Sequence, residues 1–169
     1  MKKILLILGL LANVNMQAQH TGVTLYGYSQ GISKGIRATT VNENGETKTE
    51  KKSQGRSYLI YLEVPSGMKL DITELWINGE KYRYKVSPEK TPLELKTGLS
   101  MPGQKPTILI PKTEKDLIRL VQSEKIPITG KNKRNIVKNR ALVVFYKANG
   151  KNGYRSLGKM EVLPDLVNE

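Results

Sequence analysis

Two serine and lysine motifs come closest to a catalytic pattern in this chain. Ser66 and Lys69 have the spacing S-x-x-K, and a K-T-G triplet follows at residues 96–98. Enzymes with these motifs form an acyl intermediate on the serine, which a lysine one helical turn away activates. The Pro-Ser-Gly sequence around Ser66 instead predicts a turn between two strands. No S-D-N triplet occurs in the chain, so we do not assign this chemistry.

The remaining reactive residue types are few. His20 is the only histidine, and cysteine is absent. These counts exclude catalytic triads built on another histidine and any site that needs two histidines. They also exclude thiol nucleophiles and zinc sites formed by cysteines. Glu63, Asp71 and Glu74 are near one another in sequence, but a glycosidase needs two carboxylates at a set separation across a cleft. We predict no catalytic residue, no metal site and no cofactor.

Basic residues are concentrated in the C-terminal third. The net charge is +13, and residues 125–160 contain ten Lys or Arg and no Asp or Glu. Such a block attracts polyanions through long-range steering and counterion release. The candidate polyanion-binding residues are Lys131, Lys133, Arg134, Lys138, Lys151 and Arg155. We expect this charge at both ends of a hairpin rather than in one pocket.

The partners that fit this charge are an envelope protein, an anionic glycan or lipopolysaccharide. No nucleic-acid motif accompanies the basic residues, so sequence-specific nucleic-acid binding is not expected. The alternative is a solvated basic face that only confers solubility.

Residues 1–18 have the pattern of a secretory signal peptide. Two lysines precede an apolar run at residues 4–12, and a short polar stretch ends at Ala18. The apolar run is much shorter than the ~20 residues that a membrane span needs. We predict cleavage near Ala18 and export to the periplasm, the cell surface or the medium. The mature chain would be one domain, residues 19–169, without a transmembrane segment.

Turn signals divide the mature chain into short segments. Asn-Gly, the strongest hairpin signal, occurs at residues 44, 78, 149 and 152. Strands are predicted at 23–30, 35–41, 46–51, 57–64, 71–77, 80–86, 107–110, 138–147 and 154–163. This pattern predicts an all-β fold, an antiparallel β-sandwich of immunoglobulin-like character.

At most one short helix is expected, near 114–123. Thr113 and Asp116 have the spacing of a capping box, and Leu117, Leu120 and Val121 share one helical face. A strand that uses Ile118 and Leu120 is the rival interpretation.

The Asn78-Gly79 turn predicts a register. Leu75 would face Tyr82, Trp76 would face Lys81 and Ile77 would face Glu80. The same register sets Glu74 opposite Arg83 and Thr73 opposite Tyr84. One face would then be a core face, formed by Leu75, Ile77, Tyr82, Tyr84 and Val86.

Trp76 would lie on the opposite, charged face of this hairpin. There its ring is an aromatic anchor for a cation, a sugar or a partner protein. The alternative is that a loop or the polar arm at 46–51 covers the ring, since large aromatic side chains are highly buried on average.

These patterns lead us to expect an exported, non-catalytic β module that acts through its surface in envelope interaction, adhesion or polyanion binding. One alternative is a carbohydrate-active or cell-wall hydrolase whose carboxylates the sequence does not locate. Another is an accessory subunit of a secretion or adhesion assembly, completed by strand addition at an exposed edge.

Overall fold

A computed structural model of the chain describes residues 22–34, 55–95, 106–128 and 135–168. Several predictions concern residues outside these ranges. They are the signal peptide and its cleavage site, His20, the strands at 35–41 and 46–51, the turn at 44–45, the K-T-G triplet, Lys131, Lys133 and Arg134.

The described chain is predominantly β. Its elements are β1 (Thr24–Lys34), β2 (Gly55–Val64), β3 (Leu70–Ile77), β4 (Glu80–Glu89), β5 (Leu93–Glu94), β6 (Ile108–Ile110), β7 (Asp116–Ile126), α1 (Asn135–Lys138), β8 (Leu142–Ala148), β9 (Lys151–Leu157) and β10 (Glu161–Asn168). Eight strands form one sheet in the order β10-β1-β2-β7-β4-β3-β8-β9, and β5 and β6 form a separate ribbon. No helix in these described ranges is long and apolar enough to cross a membrane.

The sheet is mixed and curls into a half-barrel. Neighbouring strands are antiparallel except for β1 and β10, which are parallel. The predicted immunoglobulin-like sandwich is not confirmed, because these eight strands pair into one continuous sheet. The predicted strand at 154–163 is divided by three residues, 158–160, into β9 and β10.

The two edges of the sheet belong to one segment of chain. β9 pairs with β8, and β10 then pairs with β1 after the short break. Gly27 of β1 lies against this segment: a Cβ built on Gly27 would be 2.6 Å from Leu142 Cδ2 and 2.9 Å from Leu157 Cδ1. Only a glycine allows this close approach, which brings the two edges together.

Three apolar clusters hold the described part of the fold. The main cluster fills the inner face of the curl. Its buried members are Val23, Leu25, Ile60, Leu62, Val64, Leu75, Ile77, Leu120, Leu142, Val144, Tyr146, Ala148 and Met160. On the outer face, the β5-β6 ribbon covers a cluster around Tyr28, Tyr61 and Leu117. Val137 of α1 belongs to a third cluster, with Trp76 and Phe145.

Both complete Asn-Gly hairpins that the structure describes have the predicted turn. Asn78 (φ 50°) and Gly79 (φ 78°) connect β3 to β4, and Asn149 (φ 49°) and Gly150 (φ 80°) connect β8 to β9. Two consecutive positive φ values are the signature of a type I′ turn. The pair at residue 152 is not a turn but lies within β9.

The predicted register at the first hairpin is confirmed for its first three pairs. Leu75 pairs with Tyr82, Trp76 with Lys81 and Ile77 with Glu80. The ladder between β3 and β4 stops there, so the expected pairs of Glu74 and Thr73 do not form. Val86, predicted in the core, is 55% exposed.

The helix predicted near 114–123 is wrong. Residues 116–126 form strand β7, in the middle of the sheet. Leu117 packs into the outer cluster, whereas Leu120 is fully buried in the inner one. A strand covered on both faces carries apolar residues on each face, so their spacing in the sequence is not a simple alternation. That spacing can match the apolar face of an amphipathic helix. The helix that does form is α1 (Asn135–Lys138), which ends where the predicted strand 138–147 was expected to begin; the observed strand β8 begins at Leu142.

Candidate functional site

Three exposed basic residues lie at the end of the half-barrel where α1 meets β8. Lys138 is the last residue of α1, and Arg140 follows it. Arg140 Nη1 lies 3.5 Å from the position that a Cβ would take on Gly158, beside Lys159. The Ala141 amide donates to the Leu157 oxygen at 2.9 Å, which fixes this approach. We call Lys138, Arg140 and Lys159 the basic end.

No residue of the basic end forms an ion pair with an acidic residue in the described part of the chain. Ion pairs occur elsewhere in the described chain: Lys81–Glu74, Arg83–Glu124, Lys115–Glu63, Arg119–Glu89 and Lys125–Glu80. None of these carboxylates pairs with Lys138, Arg140 or Lys159. An anion that approaches this end therefore meets positive charge without displacing a described internal partner.

Lys151 lies at the other end of the β8-β9 hairpin. It pairs with Ala148 beside the turn, whereas Leu157 pairs with Leu142 at the basic end. A strand of seven residues spans about 20 Å at ~3.3 Å per residue. Lys138 and Lys151 therefore do not share one site.

Arg155 makes a hydrogen bond that joins two strands rather than lying free at the surface. It pairs with Val144 on the inner face, and its Nε donates to the backbone oxygen of Val23 at 2.7 Å. This contact joins β9 to the start of β1. The three of the six proposed residues that the structure describes are therefore not one cluster: Lys138 is at the basic end, Lys151 is at the far turn, and Arg155 joins β9 to the start of β1.

Trp76 is 4% exposed. Its Nε1 donates to Glu74 Oε2 at 2.8 Å, and Lys81 Nζ lies 5.9 Å from the ring centroid. The ring packs with Val137 of α1 and Val143 of β8. Among the described residues, α1 covers the ring together with Ile128, a loop residue after β7. The polar arm at 46–51 lies outside the described residues. The ring offers no exposed face for stacking, so a role as an aromatic anchor would require α1 to move.

Glu63 is a buried carboxylate that the sequence pattern presented only as an outward strand residue. It accepts a hydrogen bond from the Tyr26 hydroxyl at 3.1 Å, and Lys115 Nζ lies 3.7 Å away. Burial acts to raise the pKa of Glu63, but hydrogen bonds from Thr113, Tyr26 and Thr24 and the Lys115 charge lower it further, below the usual value. This network fastens the loop before β7 to β2.

The three carboxylates considered from sequence are not brought together. Glu63 is on β2, whereas Asp71 and Glu74 are on β3, and β7 and β4 lie between these strands. Glu74 is occupied by Trp76 and Lys81. Within the described ranges, no group of three or more His, Asp or Glu is arranged to hold a metal ion.

Ser66 lies in a turn, as the sequence predicts, and not at the start of a helix. The Met68 amide donates to the Pro65 oxygen at 3.0 Å, and Gly67 has φ 79°. The Ser66 hydroxyl donates to the Glu114 backbone oxygen at 2.9 Å. This hydroxyl thus has a structural hydrogen bond, in a geometry that differs from that of a serine nucleophile beside its lysine.

Comparisons with protein-family models, with curated proteins and with solved structures give no significant match to this chain. Function is therefore inferred from the charges and contacts described above. The basic end is the strongest candidate, because it combines exposure, like charge and the absence of a described acidic partner.

Proposed function

We propose that this protein is an exported, non-catalytic β module that binds an anionic polymer or an acidic envelope protein through its basic end. The observation that carries the proposal is the cluster of Lys138, Arg140 and Lys159, exposed and without an ion pair to a described carboxylate. Cations in this state bind polyanions by releasing condensed counterions. The pattern of residues 1–18 supports export, because secretory signal peptides have this composition.

The non-catalytic part of the proposal is supported by the separation of the reactive side chains. Ser66 hydrogen-bonds to a backbone oxygen, Glu63 is held by Tyr26 and Lys115, and Glu74 is held by Trp76. Carboxylates with such partners stabilise structure, and two strands, β7 and β4, lie between Glu63 and Glu74 in the sheet. This arrangement favours binding over the alternative of a hydrolase.

The basic residues predicted from sequence form two groups in the proposal, one that precedes the basic end in the chain and one at the far turn. Lys131, Lys133 and Arg134 precede α1 in the chain and belong to the same run of positive charge. Lys151 would form a separate, weaker contact point at the far turn. The anion would therefore be long enough to contact more than one cluster, as an acidic glycan or lipopolysaccharide is.

The experiment is a comparison of charge-matched variants for binding to a fluorescent heparin fragment and to lipopolysaccharide. The first variant carries Lys138→Ala, Arg140→Ala and Lys159→Ala. The control carries Lys85→Ala, Lys90→Ala and Lys112→Ala, which are exposed lysines elsewhere on the molecule. Both lose three charges, and thermal unfolding checks that both fold.

The proposal expects about a tenfold loss of affinity for the basic-end variant and less than about threefold for the control. A third variant, Lys131→Ala with Lys133→Ala and Arg134→Ala, tests the contribution predicted from sequence. Equal losses in the basic-end variant and the control would mean that only total charge matters, and the proposed site would be wrong.

A further inference from the structure

Strands β3 and β4 pair at the hairpin and then separate. Their ladder contains three pairs, from Ile77–Glu80 to Leu75–Tyr82. Beyond Tyr82, β4 continues to pair with β7 as far as Glu89, and β3 pairs with β8 back to Leu70. The facing edges of 70–73 and 84–89 therefore have no described strand between them. We call this opening the splay.

Two bulges lie where the strands separate. The register between β3 and β8 shifts between Ile72 and Glu74, and the register between β4 and β7 shifts between Tyr82 and Tyr84. A bulge bends its strand and increases the local twist. The extra residue of the first bulge is on β3, and that of the second is on β7, the other neighbour of β4. Both bulges lie where β3 and β4 separate, within strands that continue to pair on their other sides, so the splay is not fraying at a chain end.

One side-chain bond spans the splay. The Tyr84 hydroxyl donates to the backbone oxygen of Ile72 at 2.6 Å, in place of a ladder bond between the two strands. Val86, two residues further along β4, is 55% exposed although its strand neighbour Leu120 is fully buried. Val86 is exposed because β3 has moved away from it, which explains the failed core prediction.

The side chains around the splay alternate in character. Ile72, Tyr84 and Val86 point toward the inner face, whereas Asp71 and Lys85 lie on the outer face with exposed side chains. An extended segment placed between the strands would meet apolar groups at every second residue and polar groups at the others.

The charge around the splay is mainly positive. Lys85 of β4 and Lys147 of β8 are exposed, as are Lys69, just before β3, and Lys90, just after β4. Asp71 is exposed there as well, but the carboxylate of Glu89 is already paired with Arg119 at 3.7 Å. A partner with acidic outward positions is complementary to this surface.

We propose that the splay accepts an extended segment of another protein, with apolar residues alternating with acidic ones. The segment would displace the Tyr84–Ile72 hydrogen bond and add a strand beside β3 and β4. Its backbone would hydrogen-bond to their edges, its apolar side chains would lie against Ile72 and Val86, and its carboxylates would lie near Lys85. This is a peptide-binding surface, distinct from the basic end and from its anionic polymer.

The test uses a synthetic heptapeptide of alternating glutamate and valine, acetylated and amidated, with amide hydrogen exchange of the purified protein as the readout. Binding should slow exchange of backbone amides within 70–73 and 84–89 about tenfold or more at saturation. A peptide with lysine in place of glutamate should bind at least about tenfold more weakly. N-methylation of alternate peptide amides should abolish protection, because it removes the donors of a ladder.

Two variants with matched controls locate the site. Val86→Asp should weaken peptide binding about tenfold, whereas Val162→Asp, at a valine that is 69% exposed on β10, should not. Lys85→Glu should weaken the peptide but leave heparin binding at the basic end unchanged. The basic-end variant should show the opposite pattern, so that failure of one proposal is distinguishable from failure of the other.

The proposal is overturned if the glutamate peptide protects no amide of the splay, or if the lysine peptide binds equally well. It is also overturned if Val162→Asp weakens binding as much as Val86→Asp does. Concentration-dependent dimerisation, with protection of the same amides in the absence of peptide, would assign the splay to a second copy of this chain and would also contradict the proposed partner.

Discussion

Arg155 Nε donates a 2.7 Å hydrogen bond to the backbone oxygen of Val23 and so joins the last hairpin to the first strand. These residues are distant in sequence but lie on the two sides of the seam in the curled sheet. Because β9 and β10 are the two edge strands and β10 pairs with β1, this contact links the edge strand β9 to the opposite side of the sheet. The most basic part of the chain thus also supplies a residue that joins the last hairpin to the start of β1.

We predict that Arg155→Met destabilises the protein by about 1–3 kcal/mol. Methionine keeps much of the aliphatic volume, but it leaves the Val23 oxygen without its charged donor, and hydrogen bonds from charged groups are worth about this much. Urea unfolding measures the change. Lys151→Met removes the same charge from an exposed position and should change stability by less than about 0.5 kcal/mol. Equal effects of both variants would contradict the structural role of Arg155.

Gly27→Ala should destabilise the protein by about 1–3 kcal/mol through overpacking. The added methyl group would meet Leu142 Cδ2 at 2.6 Å and Leu157 Cδ1 at 2.9 Å. Gly55→Ala is the control, because its Cβ would lie 3.8 Å from Ile32, an ordinary contact. A shift in thermal midpoint for Gly27→Ala that is no larger than the shift for Gly55→Ala would show that β1 does not approach β8 this closely.

Local signals in the sequence predicted local structure well. The Asn78-Gly79 turn and its first three pairs are confirmed, because both residues favour positive φ and the loop length fixes the register. The predicted pairing of β3 with β4 holds only as far as Tyr82. Beyond it, the strands separate next to bulges in their pairings with β7 and β8, and a bulge depends on partners distant in the sequence.

Long-range pairing was not predictable from the pattern. β7 resembled a helix because Leu117 and Leu120 face different clusters on the two sides of the sheet. The parallel pairing of β10 with β1 depends on where the chain turns after Leu157, which composition does not specify. At the candidate site, the sequence identified the positive charge of the C-terminal third but not that Arg155 is used at the seam.

The stability of the protein should depend on the ionisation of Glu63. Its pKa in the folded state is lowered from 4.5, so its contribution to stability is present above that pH and is lost as the pH falls through the folded value. Glu63→Gln should remove this contribution. The difference in unfolding free energy between wild type and Glu63→Gln should therefore shrink as the pH is lowered below about 4.5.

Urea titrations at a series of pH values measure this difference. Glu124→Gln is the control, because that carboxylate is largely exposed in its ion pair with Arg83. A difference between wild type and Glu63→Gln that stays constant with pH would mean that Glu63 contributes only packing.

Val137→Asp should expose the single tryptophan. Val137 is fully buried against Trp76, and an unpaired carboxylate at this position would carry a large burial penalty that displaces α1. Acrylamide quenching of Trp76 fluorescence should therefore increase several-fold. Asn139→Asp adds the same charge at an exposed residue and should leave quenching unchanged. Unchanged quenching in Val137→Asp would contradict the covering role of α1.

The most direct test of polyanion binding at the basic end is the salt dependence of affinity for a single-stranded oligonucleotide, used as a polyanion of defined charge spacing. The slope of log K against log salt is about −0.7 for each phosphate contact. Lys138→Ala, Arg140→Ala and Lys159→Ala together should reduce the magnitude of this slope by about 2, because three contacts are lost. An unchanged slope in this triple variant would contradict binding at the basic end.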